Sequence, residues 1–214
     1  MQGILKIAAI NPKNDKTGKY VVQFEDGAEI IVSAACIADF GIRPGRELSE
    51  DEYEQLREGA ALDASKAQAL RMLGRRSLSA REMEMRLISK GESAGTARQT
   101  VEWLESIGMV DDMEYAGMIV RHYIAKGYGA ARVKNELFKR GIQRGLWEEA
   151  MSDLSGMEEA AHDFVAGRLK GDNGEDGLRR AAKALIARGF SYEEARAAVK
   201  KYLDGIEEEK GAEL

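Results

Sequence analysis

One cysteine, two prolines and two histidines in 214 residues close off several kinds of chemistry. Cys36 alone cannot form an internal disulfide framework or a multi-cysteine zinc site. His122 and His162 stand far apart, so no metal site is expected. No apolar run approaches the roughly 20 residues of a membrane span. Met1-Gln2-Gly3-Ile4 shows no basic head before an apolar core, so no secretory leader is expected. The chain also lacks a glycine-rich phosphate loop ending in Lys-Ser/Thr, and no nucleophile, base and acid can be assembled from it. We therefore expect a cytoplasmic non-enzyme with no catalytic residue, no cofactor and no membrane partner.

What is present is charge and helix-forming residues. Hydrophobic residues make up 44% and charged residues 32%, the balance of a globular protein with a heavily charged surface. The net charge of −5 is uneven. Residues 60–155 carry 15 Lys/Arg against 13 Asp/Glu and are the one net-positive stretch, between flanks of −4 and −3. An excess this small is equally consistent with solvated helix faces.

Strand signals fill the first 33 residues. Ile4 to Ile10 is apolar and β-branched, and Asn11-Pro12 is expected to stop it. Tyr20 to Phe24 and Glu29 to Val32 flank Asp26-Gly27, which predicts a type I′ hairpin. Three strands bury little alone, so a helix from Ser33 to Phe40, closed by Gly41, is expected to cover one face, with Cys36 as a small core residue.

Beyond Pro44-Gly45 the chain reads as helical. Ser or Asp followed three residues later by Glu predicts capping boxes at Ser49/Glu52, Ser79/Glu82, Asp111/Glu114, Ser155/Glu158 and Ser191/Glu194. The adjacent carboxylates Asp111-Asp112 belong to such a start, not to catalysis. Leu87 to Gly91, Leu137 to Gly141 and Leu185 to Gly189 share a pattern of Leu, two variable positions, a basic residue and Gly, at a period near 50 residues. The expected fold class is mainly α: three tandem three-helix repeats in an elongated curved array, preceded by a small three-stranded antiparallel β domain. The boundaries read as a β-meander domain at 1–48, a linking helix at 49–63, repeats at 64–110, 111–155 and 156–204, and an acidic tail at 205–214. The polar run Gly171 to Gly177 lacks the full acidic ladder of a calcium loop and reads as a loop.

Basic residues cluster at related places in these repeats. Met83, Met85 and Leu87 supply an apolar side to the helix from Ser79 to Lys90, leaving Arg86 and Lys90 on an exposed face. Val133 and Leu137 turn inward one repeat later, leaving Arg132, Lys134, Lys139 and Arg140 outside. Arg71, Arg75 and Arg76 form a further cluster. Glu82, Glu84 and Glu136 are close enough to neutralise part of this surface, so the residues alone leave an anion partner and a solvated face equally open.

The ordered motifs resemble the RecX family, modulators of the RecA recombinase. Arg76-Ser77-Leu78-Ser79, Glu82-Met83, Arg86-Leu87 and Lys90-Gly91 are similar to the R-x-x-S-x-x-E-L-x-x-K-L-x-x-K-G signature of that family. Leu104, Gly108, Met109, Asp111-Asp112 and Tyr115-Ala116 follow its G-[YL]-[IL]-D-D-x-x-[FY]-A stretch, with Met109-Val110 departing from the usual aromatic and branched pair. Arg121, Gly127, Gly129, Arg132, Glu136-Leu137 and Arg140-Gly141-Ile142 continue the order. The match covers about residues 64–155 well and 156–204 loosely, and the β segment resembles an N-terminal extension of some members.

The resemblance implies a monomer that docks in the groove of the RecA–single-stranded DNA filament and lowers RecA ATP hydrolysis, strand exchange and filament growth. Bare single-stranded DNA would be a weak partner. The filament- or DNA-facing residues would be Arg75, Arg76, Arg86, Lys90, Arg121, Arg132, Lys134, Lys139 and Arg140. Trp103 and Trp147 fall at expected helix contacts, which leaves few aromatics for base stacking. The alternative is a helical module that binds duplex DNA directly. Its candidate recognition helix, Gln143 to Leu154, carries Glu148-Glu149, which would repel phosphates.

Overall fold

Strand-period alternation at the N-terminus builds β1 (Leu5–Asn14), β2 (Lys19–Phe24) and β3 (Glu29–Ser33) into the expected antiparallel meander. A fourth strand that the sequence did not suggest, β4 (Glu47–Leu48), joins the free edge of β1 through Leu5–Leu48 and Lys6–Glu47. The strand order is β3-β2-β1-β4. Pro12 does not stop β1, because a register shift between Pro12 and Asn14 accommodates the missing amide. The hairpin is not type I′ either. Only Gly27 has positive φ; its amide donates to the Phe24 carbonyl, and the Phe24 amide donates to Ala28, which is a three-residue loop with a glycine bulge.

The structure, a computed structural model, describes residues 4–14, 18–152, 154, 156–171 and 173–212. The chain divides into two units, residues 1–77 with 83–110, and residues 78–82 with 111–214. In the first unit, α1 (Ala34–Asp39) is capped by Ser33, whose hydroxyl accepts from the Cys36 amide. α2 (Glu50–Leu73) follows, with a complete Ser49/Glu52 capping box. α2 runs without a break through Gly59 and past residue 63, so the linking helix and the first helix of the first repeat are one element. Leu56 and Ala60 of α2 close the core made by Ile7, Val22, Phe24, Val32, Cys36, Ile42 and Leu48. Further along, buried Ser65 of α2 accepts from Thr100 of α4 (Ala94–Ser106) at 2.9 Å. Between them, α3 (Ala80–Ser89) buries Met83 and Leu87.

The second unit holds α5 (Asp112–Ala125), α6 (Ala130–Lys139), a 3-10 turn at Arg144–Leu146 running into the single-turn α7 (Trp147–Ala150), α8 (Met157–Leu169), α9 (Glu175–Ala187) and α10 (Tyr192–Ala212). The expected helix from Gln143 to Leu154 is thus reduced to a 3-10 turn and one α turn. The acidic tail expected after 204 continues α10 to residue 212. Caps form at Ser79/Glu82 and Ser191/Glu194, and Asp111 accepts from the Met113 and Glu114 amides. Ser155 and Asp172 lie outside the described residues, and Gly156 is the N-cap of α8. Leu137, Val165, Leu185, Val120 and Ala195 are central to the core. No helix among the described residues is long and apolar enough to cross a membrane.

The three Leu-to-Gly repeats end their helices alike. Gly91, Gly141 and Gly189 take φ of 100°, 70° and 93°, and the next residue's amide reaches back to Leu87, Leu137 and Leu185. These are Schellman stops. In the second unit each stop is covered by the start of another repeat's helix. The Ser79 hydroxyl, at the start of α3, donates to the Arg140 carbonyl, while the Gly129 and Ala131 amides, at the start of α6, donate to Arg188 and Gly189.

Candidate nucleic-acid interface

α6 carries the densest basic surface. Its inward side is fixed by Val133 and Leu137, one turn apart and fully buried. Glu136 also turns inward. Burial alone would push its carboxyl up, but hydrogen bonds from Arg140 and Tyr123 and the Arg140 charge outweigh that and hold it below the usual carboxylate range. The exposed residues of α6 are Ala131, Arg132, Lys134, Asn135, Phe138 and Lys139, and none is acidic. The Arg132 guanidinium lies 5.7 Å from the Tyr128 ring, a cation–π contact that orients it.

Arg140 differs from these residues in being half-exposed and engaged within the fold. Its Nε donates to Glu136 at 2.9 Å and its Nη1 to the Tyr115 hydroxyl at 2.7 Å. It ties α6 to α5 and is half-exposed, where the sequence placed it wholly outside. The reason is local: four residues after Glu136, it shares the inward face of the helix. Arg121, on α5, lines a separate hollow with Lys126, Glu159 and Asp163, so its surroundings are of mixed charge.

In the first unit Arg86 and Lys90 are exposed as expected, near the C-terminal end of α3. Arg75 and Arg76 are exposed just beyond the Gly74 cap of α2. Met85 is not on the apolar side: it is 58% exposed, because its position falls opposite Met83 and Leu87. Trp103 sits under Lys66 at 5.0 Å, and the Trp147 indole donates to the Ile142 carbonyl, so both tryptophans serve packing.

Two features escaped sequence reasoning. The residue after each repeat's core leucine, Ile88, Phe138 or Ile186, is exposed to 37%, 63% and 43%. The Leu-x-x-basic-Gly alignment already marked that column, and only its orientation was unread. α9 also bears exposed Arg179, Arg180 and Lys183 around Ile186, although Arg179 is neutralised by Asp176 at 3.1 Å and Glu175 at 3.8 Å. Among the described residues no group of three His, Cys, Asp or Glu is placed to hold a metal ion. A cavity of about 360 Å³ between α8 and α10 is lined by apolar Met157, Ala161, Phe190 and Ala198 and by charged Glu158, Glu193, Glu194 and Lys201.

Comparison with known proteins places this geometry among relatives. A family model described as the second three-helix domain of RecX matches residues 111–151. The chain is 31% identical to the regulatory protein RecX of Halorhodospira halophila over 65% of its own length and 89% of the relative. It is 24% identical to that of Caldanaerobacter subterraneus subsp. tengcongensis, over 85% and 92%. A crystal structure of regulatory protein RecX superposes with a TM-score of 0.75 at 16% identity, covering 94% of this chain and 99% of that one. The crystal structure of RecX from Lactobacillus salivarius gives 0.61 at 20% identity, over 66% and 96%.

Proposed function

Because the chain belongs to the RecX family of regulatory proteins, we propose that it binds the filament RecA forms on single-stranded DNA and restrains it, lowering filament growth, ATP hydrolysis and strand exchange. The observation that carries this reading is the α6 surface, with Arg132, Lys134 and Lys139 exposed and no acidic residue among its exposed positions. Cations gathered without counter-charges cost folding energy, and an external polyanion offsets that cost. Arg86 and Lys90 near the end of α3 offer a second basic site at the related place one repeat earlier. The chain supplies contacts and no chemistry: RecA hydrolyses the nucleotide, and this protein alters how long its protomers stay assembled. Phosphate contacts suit that task, since they give affinity without reading sequence.

Co-sedimentation with RecA filaments, beside the same measurement on bare single-stranded and duplex DNA, tests the reading. Filament binding well above bare DNA, with a fall in RecA ATP hydrolysis, is the expected result. Replacing Arg86 and Lys90, or Lys134 and Lys139, by Ala should weaken filament binding and flatten its salt dependence. Duplex binding stronger than filament binding would replace this reading with that of a direct duplex binder.

A further inference from the structure

Phe138 is the most exposed large apolar residue of α6, at 63%, and it sits among cations. Lys134 lies one turn before it on the same face and Lys139 directly after it. Single exposed apolar residues are ordinary on protein surfaces. This one is not single in kind, because the equivalent positions of the other repeats, Ile88 and Ile186, are exposed too. A column of the repeat that keeps a large apolar residue facing water in all three copies is not explained by the core, which the neighbouring Leu87, Leu137 and Leu185 already fill.

Of the three, only Phe138 is aromatic, and only on α6 is no carboxylate exposed or half-exposed, since Glu136 is buried. On α9 the residue before the basic cluster, Asp176, pairs with Arg179, and on α3 Glu82 and Glu84 are half-exposed. A flat ring flanked by two lysines is the arrangement that takes an unpaired base on its face and the adjoining phosphates on the ammonium groups. A duplex is a poor occupant, since its bases are stacked inside and hide their faces. An acidic protein surface would satisfy the lysines but gives the ring no flat partner.

We propose that Phe138 is a base-stacking platform for single-stranded nucleic acid, with Lys134 and Lys139 holding the phosphates on either side of the stacked nucleotide. The proposal deepens the filament reading and rests on it for biological context, but its chemistry is that of the bare strand.

The test uses the full chain and a short oligothymidylate carrying one 2-aminopurine, whose emission is quenched on stacking. Wild type should bind at low salt with quenching. F138A should bind about tenfold more weakly and lose the quench, with an unchanged salt slope, because no charge is removed. F138W should restore both, whereas F138L should restore neither. The double variant K134A/K139A should flatten the log–log salt slope by about 1.4, at ~0.7 for each phosphate contact of a single strand. No binding by wild type, no effect of F138A, or rescue by F138L would each overturn the platform. RecA filament co-sedimentation of the same variants separates the two readings. If F138A loses filaments while keeping the bare strand, Phe138 docks on protein and the platform falls, yet the filament reading stands. If wild type ignores filaments while F138A weakens strand binding, the filament reading falls and the platform stands.

Discussion

The Ser79 hydroxyl donates to the carbonyl of Arg140, 61 residues further along the chain. One repeat later the Gly129 amide donates to the carbonyl of Arg188. Ser79 and Gly129 hold the same place in their repeats, the cap of the helix that covers another repeat's Schellman stop. They solve the contact differently. Ser79 spans the gap with a side chain, while Gly129 brings backbone against backbone, leaving no room for a Cβ beside the Gly189 carbonyl and the Phe190 amide.

Exchanging the two solutions should therefore be asymmetric. S79G loses a hydroxyl bond but keeps a tolerated cap residue, and should cost about 1 kcal/mol. G129S forces a side chain into occupied backbone and should cost about 1–3 kcal/mol or prevent folding, although its φ of −83° suits any residue. G189A should behave like G129S, since its Cβ would sit 2.8 Å from the Arg132 Cβ and its φ is 93°. Urea denaturation followed by circular dichroism measures all three. Equal losses for S79G and G129S would mean that the joint gives way easily.

Much of this was readable in the sequence. The Leu-to-Gly period located three helix stops, and the Ser/Glu spacing located the starts of α2, α3 and α10, because both signals depend on local backbone groups. What was not readable depended on distant partners. β4 exists because Gly45 and Arg46 bond to Ile7, far away in sequence. Arg140 looked like an exposed cation until Glu136 and Tyr115 were found around it. Phe138 drew no reading of its own, since helical spacing distinguishes faces poorly when apolar residues are adjacent, as in Leu137-Phe138.

Asp112 is a second case of hidden work. Asp111 caps its own helix, but the Asp112 carboxylate accepts from the Ala80 amide at 2.8 Å, so one adjacent pair of acids starts two helices. Burial raises the Asp112 carboxyl above its usual range against that hydrogen bond, and the charges of Asp111 and Glu82 add to the rise. A raised folded value favours the neutral form. Its benefit to stability is present at low pH and is lost as pH rises through the folded value. D112N keeps an acceptor for Ala80 without the charge, and should match or exceed wild type at neutral pH, with the difference closing in acid. D112A leaves the amide unpartnered and should lose about 1 kcal/mol. Thermal unfolding across a pH series decides it, and a D112N variant as damaged as D112A would show that the charge is required.

Glu136 titrates in the opposite sense. Its folded value lies below the unfolded one, so its contribution is complete above the unfolded carboxylate range, near pH ~4.3, and is lost as pH falls through the folded value. The stability gap between wild type and E136Q should be constant from neutral pH to about pH 5 and narrow below about pH 4. R140A should cost about 1–3 kcal/mol at neutral pH, because it strips a largely buried carboxylate of its main partner and removes the tie from α6 to the Tyr115 hydroxyl. K134A and K139A, a few residues away but exposed, should each stay within about 0.5 kcal/mol of wild type. The same three variants divide the other way in binding. Each lysine substitution should weaken attachment to single-stranded DNA and lower its salt slope, while R140A, measured where it remains folded, should leave the slope unchanged. A flattened slope in folded R140A would return that arginine to the interface.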